Sequence, residues 1–232
     1  WYCWGGRGGE YDLCNLQDDA DGSSPDVVFA REAIGYIAAA IKGVGALDAE
    51  ATFVLGMSGG GFMAWRLLCD SAFNASLRGV AVIAGALAPR LRSGVCAANT
   101  SAAIFHGTAD AFVDVAWAEA SVAWFGGAHA CSIQLEEVAP GVSRQSLSSC
   151  SEGRRLAYYR LEGVGHTFPG APLIWKGLGP TSDFDALGSA LALWGLVNDD
   201  DILSGGGPRR CARWLETVAL LLPLTILRWT SP

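Results

Sequence analysis

From Asp26 to Val44, apolar residues at Val27, Ala30, Ala33, Ile34, Ile37, Ala40 and Ile41 recur at three- and four-residue steps, which predicts a helix with one buried face. Pro25 suits its first turn, and Gly43 and Gly45 suit its end. The period then changes. Thr52-Phe53-Val54-Leu55 is short, apolar and partly β-branched, as expected of a strand covered on both faces, and a helix is predicted from about Gly61 to Cys69. The alternation repeats downstream. Strands are expected at Gly79–Ala84, Ala102–Phe105 and Leu156–Leu161, with helices at Val115–Trp124 and Ser182–Val197. Asp183 and Asp185 are placed in the first turn of the last helix, where its dipole favours negative charge. Buried strands alternating with helices predict an α/β fold around a mostly parallel sheet flanked by helices.

Composition narrows what such a domain does. Of 232 residues, 51% are hydrophobic and 17% charged, and 23 acidic against 16 basic side chains leave a net charge of −7. With no basic cluster able to follow a phosphate backbone, nucleic acid is not an expected partner. Seven cysteines without a C-x-x-C pair, beside only three histidines, argue for disulfides rather than a metal site. The cysteines point to an oxidising, extracellular compartment.

The chain divides into a Cys/Trp-rich N-terminal loop (1–22), a catalytic domain (23–200) and a Gly/Arg linker with an apolar tail (201–232). Counted from Trp214 to Trp229, that tail is shorter than the roughly 20 residues of a membrane-spanning helix. An appended helix or unstructured end, a span, and a lipid-anchor signal at Ser204 and Gly205 all stay open for it. Membrane association is expected only through this tail.

The chemistry sits between the second predicted helix and the strand before it. Gly56-Met57-Ser58-Gly59-Gly60 matches G-x-S-x-G in a strand–turn–helix setting, the sharp turn that exposes a serine nucleophile. Neighbours without Cβ atoms are expected on steric grounds, and the Gly59 amide opens a helix where it can face a developing oxyanion. A serine needs a base, and the base needs a carboxylate. In sheet enzymes with this elbow the chain order is Ser, acid, His. His106-Gly107-Thr108-Ala109-Asp110 follows one strand, and Gly163-Val164-Gly165-His166-Thr167-Phe168-Pro169 follows another, which places Asp110 and His166 at carboxyl ends of strands. Three rivals are assigned other work. His106 is expected to pack or hydrogen-bond in its turn, His129 to lie in an excursion, and Asp114 to cap the helix beginning near Val115.

Together the segments Gly56–Ala64, His106–Asp110 and Gly165–Gly170 resemble the secreted α/β-hydrolase esterases grouped as feruloyl esterases and polyhydroxybutyrate-depolymerase-like enzymes, over roughly residues 26 to 197. The resemblance implies Ser58 as nucleophile, Asp110 as acid, His166 as base and an acyl-enzyme mechanism on small or polymer-linked carboxylic esters, without a metal or organic cofactor. Feruloyl-type esters are the expected substrates, with hydroxyalkanoate polymers, or a catalytically inactive binding or surface protein, as alternatives. It also suggests pairing Cys131 with Cys150 and Cys69 with Cys96, while Cys3 with Cys14 would close the N-terminal loop and leave Cys211 over. Sequence alone allows 15 pairings of six cysteines. Phe168 and Trp175, with Trp1, Tyr2 and Trp4, are candidates for an apolar substrate platform, against simple packing.

One departure from that family is expected. About fifty residues precede Ser58, and residues 1–22 show no series of strands, so the chain should lack the N-terminal strands and the glycine-rich loop that donates a second oxyanion amide. Expressed alone, these 232 residues are expected to be insoluble or inactive.

Overall fold

The computed structural model describes residues 25–41, 52–70, 77–89, 92, 100–151, 155–171 and 178–197. In chain order the elements are α1 (Pro25–Ile41), β1 (Thr52–Met57), α2 (Gly59–Leu68), β2 (Leu77–Ile83), β3 (Ser101–Gly107), α3 (Val115–Ala128), β4 (Ser132–Ala139), β5 (Val142–Ser148), β6 (Leu156–Leu161) and α4 (Ala186–Leu193). The strands form one mixed sheet in the order β1-β2-β3-β6-β5-β4. β1, β2, β3 and β6 run parallel, while β5 is antiparallel to both of its neighbours.

Alternation along each parallel strand divides the core in two, because successive side chains leave opposite faces of the sheet. Val80 and Val82 of β2, Ile104 of β3 and Tyr158 of β6 join the cluster with Trp65 of α2 and Phe125 of α3, against which Ile34 of α1 also packs. Ala81 and Ile83, Phe105 and Tyr159 face the other way, toward Ala186 and Ala190 of α4. A mostly parallel sheet with helices on both faces therefore forms as predicted, except that β1, expected to be covered on both faces, is only partly buried.

Several boundaries differ from the expectation. α2 begins at Gly59, directly after the serine. α4 begins only at Ala186, and Asp185 is its N-cap, accepting from the Gly188 amide at 2.8 Å. Asp183 is outside that helix, so the expected pair of first-turn acids reduces to one capping residue. The expected excursion is a β-hairpin. β4 and β5 turn through Pro140-Gly141, with Gly141 at φ 71°, and continue the sheet past β6.

Cys131 and Cys150 close the base of that hairpin as a disulfide. Cys69 is also disulfide-bonded. Its expected partner Cys96, together with Cys3, Cys14 and Trp175, lies outside the described residues, as do both expected domain boundaries and the apolar tail. Closing a loop of 19 residues removes chain entropy from the unfolded state, so replacing Cys131 and Cys150 by Ala should lower unfolding free energy by about 3 kcal/mol in urea titrations. A loss below about 0.5 kcal/mol would contradict that account. Among the described residues β1 is an edge strand, with Leu55 42% exposed, and no helix is long and apolar enough to cross a membrane.

Candidate active site

The parallel strands end in register. Met57 pairs with Ile83, Ile83 with Phe105 and Phe105 with Tyr159, so the loops after β1, β3 and β6 rise from one rim of the sheet. Ser58, Asp110 and His166 occupy those three loops. Open α/β sheets present their sites at this edge.

Ser58 sits at φ 55° and ψ −122°, a conformation that glycine adopts readily and a residue with a Cβ does not. It is fixed from both sides. Its amide donates to the Ile83 carbonyl at 2.9 Å, and its own carbonyl accepts from the Phe62 amide at 3.1 Å. Gly56 is required by space, since a Cβ there would stand 2.0 Å from the Gly60 carbonyl oxygen. Gly60 is not. A Cβ on it meets nothing within 4 Å, which corrects the steric expectation for the second glycine of the motif. The crowded position is Gly61, whose Cβ would lie 3.0 Å from the Ile83 carbonyl oxygen and 3.2 Å from Gly85 Cα, so α2 packs backbone to backbone against the end of β2. The Gly59 amide, first in α2, belongs to the set that has no partner within a helix.

Asp110 and His166 meet directly. His166 Nδ1 lies 2.7 Å from Asp110 Oδ2, with the side chains 6% and 0% exposed. Since a carboxylate only accepts, the proton of this contact resides on Nδ1, which leaves the Nε2 lone pair as the basic nitrogen. The other carboxylate oxygen, Oδ1, accepts from the Phe112 and Val113 amides, each at 2.9 Å. Burial pushes the Asp110 carboxyl up, but the hydrogen bonds from His166, Val113 and Phe112 outweigh it and hold the group below its ordinary value. Asp110 is thereby kept ionised against the imidazole.

Glycines allow the acid and base loops to touch. A Cβ on Gly107 would fall 2.1 Å from the Val164 carbonyl oxygen, and one on Gly165 would fall 2.7 Å from that of Leu178. Across this contact Ala109 N donates to Val164 O at 2.9 Å and Thr108 N to Leu161 O at 2.9 Å. Thr108 Oγ1 accepts from the Gly163 amide at 2.8 Å and donates to Glu162 at 3.1 Å. Among the described residues no hydrogen bond closes from Ser58 Oγ to the His166 ring. Contacts of this kind are commonly long in free enzymes and tighten around substrate.

Asp114 falls where it was expected, whereas His129 belongs to a helix end rather than to the excursion. Asp114 caps α3 through the Ala116 amide at 2.9 Å. His129 is the C-cap of α3, its ring 4.5 Å from that of Phe125, at the end of the helix away from the rim. Phe168 packs partly buried against the α4-side core. Sequence reasoning missed Phe112, which is 48% exposed and stands 5.2 Å from the His166 ring. Its signal was available: an aromatic residue two positions after the acid, in the same loop.

No protein-family model and no curated protein matches the chain. Two crystal structures of single-substitution variants of Arabidopsis thaliana SOBER1 are similar to it, at 20% and 21% identity. Each alignment covers 64% of this chain and 59% of the SOBER1 chain, with a TM-score of 0.38. The chain thus spans less than two thirds of the length of the structures it matches. The mixed, mostly parallel sheet of six described strands flanked by helices is an α/β fold, consistent with that of the α/β-hydrolases.

Proposed function

We propose that this chain carries the active site of a serine ester hydrolase in which Ser58 is the nucleophile, His166 the base and Asp110 the acid. The observation that carries the reading is the 2.7 Å contact from His166 Nδ1 to Asp110, on the same rim as a serine held at φ 55°. His166 Nε2 takes the Ser58 hydroxyl proton as Oγ attacks the ester carbonyl. The Gly59 amide faces the negative oxygen that develops. Collapse expels the alcohol, which leaves with the proton held on Nε2. Water, deprotonated by the same nitrogen, then attacks the acyl group, and its proton returns to Ser58 as the acid departs.

Feruloyl or related esters on plant polysaccharide are the proposed substrates, supported by the motif resemblance and by exposed Phe112 beside His166, a flat surface suited to an aryl acyl group. The Cys131–Cys150 bridge and bonded Cys69 support an extracellular location.

A fluorophosphonate probe is expected to label Ser58 in the full-length gene product and to fail on Ser58→Ala, as read by peptide mass spectrometry. Absence of labelling on the folded protein would favour an inactive, binding-only protein. Comparing methyl ferulate with hydroxybutyrate oligomers then separates feruloyl esters from hydroxyalkanoate polymers as substrates.

A further inference from the structure

Among the buried titratable groups that the proposed chemistry does not use, His106 stands beside the acid. It lies on β3, four residues before Asp110, and is 1% exposed. Its Nε2 is 2.8 Å from the Val113 carbonyl oxygen and 3.5 Å from Asp110 Oδ2, while Nδ1 is buried with no hydrogen-bond partner. A carbonyl oxygen only accepts, so Nε2 carries the proton and Nδ1 keeps its lone pair. Leaving a buried acceptor without a partner costs on the order of 1–3 kcal/mol. A leucine would fill the space without that cost, so packing alone does not account for an imidazole here.

Its donor is placed where the acid needs one. Val113 contributes two groups in opposite senses: its amide donates to Asp110 Oδ1, and its carbonyl is tied by His106 to β3. The same N–H approaches Oδ2, the oxygen that His166 uses. Resting on the reading of Asp110 as the acid, we infer that His106 is a positioning residue that holds the carboxylate of Asp110 at the angle His166 requires. It acts by anchoring the 110–113 turn to β3 and by flanking Oδ2 with an N–H.

The ionisable groups facing this ring are Asp110, His166 and Asp114. Burial lowers the His106 pKa and outweighs the Val113 carbonyl and the two carboxylates, which raise it, while His166 adds to the lowering. The ring accordingly stays neutral, and its role is that of a fixed donor rather than a second base.

Three variants of the full-length gene product test the inference. His106→Gln can present an amide N–H near the position of Nε2; His106→Asn is too short to do so, and His106→Leu has no donor. Misplacing a catalytic group by about 1 Å costs roughly 10²-fold in rate. The Asn and Leu variants should therefore lose roughly 10²-fold in kcat on p-nitrophenyl acetate with KM within about threefold, while Gln recovers to within about tenfold of the parent. In low-field proton NMR, the His166 Nδ1–H resonance should persist in the Gln variant and broaden in the other two. Equal kcat across folded Gln, Asn and Leu variants, or an unchanged resonance in all three, would overturn the inference. If Leu does not fold, the Gln and Asn pair decides. The resonance does not depend on turnover. A gene product without ester hydrolysis, whose resonance still follows the substitutions, would sink the esterase reading and leave the positioning role standing.

Discussion

Replacing Ser58 by Ala should reduce kcat for p-nitrophenyl acetate by roughly 10⁵–10⁶-fold in the full-length gene product, with KM little changed. The loss is large because no other described hydroxyl occupies the turn between β1 and α2, and the Gly59 amide gives only the residual rate that charge stabilisation supplies without a nucleophile. Stability supplies an independent check. A residue with a Cβ held at φ 55° and ψ −122° stores strain of about 1–3 kcal/mol, which glycine does not incur. Ser58→Gly should therefore be as inactive as Ser58→Ala and melt at a higher temperature. An alanine variant that keeps more than a hundredth of the activity would remove Ser58 from the mechanism.

Asp110→Asn is expected to cost roughly 10⁴-fold in kcat while leaving the fold intact. The hydrogen-bond pattern dictates the sign. Oδ1 accepts from two backbone amides, so the asparagine oxygen must remain there and its NH₂ must take the place of Oδ2. That NH₂ would then face His166 Nδ1 as a donor and meet the His106 N–H as well. The His166 ring is driven to the other tautomer, with its proton on Nε2, and no longer accepts from a serine. A pH–rate profile of kcat/KM with activity within tenfold of the parent would show that the acid is another residue.

Much of this was legible in the residues. The change of period from helix to strand located β1, β2, β3, β6 and most of α2 and α3, because parallel strands covered on both faces are continuous apolar runs. The elbow and the two loops that bear Asp110 and His166 were readable for a related reason: glycine at 56, 107 and 165 is imposed by backbone contacts that any Cβ would violate.

The hairpin was hidden by its exposure. Ile133 and Leu135 of β4 are 58% and 75% exposed, and Ser-, Gln- and Glu-rich strands with little burial carry no strong periodic signal. Pro140-Gly141 was the available clue to its turn. Gly60 misled in the opposite direction, a glycine that the space around it does not demand. Phe112 and the second contact of His106 are tertiary facts. Neither follows from spacing, because both depend on how tightly the 110–113 turn folds back on β3.

The six-stranded sheet does not hold the three side chains with equal firmness. Asp110 and His166 rise from neighbours, β3 and β6, whose loops are laced together, whereas Ser58 follows β1, two strands away and at the border of the sheet among the described residues. Gentle warming should first peel the nucleophile from its partners while the carboxylate and imidazole remain clasped, so thermal inactivation would set in below the temperature of global melting.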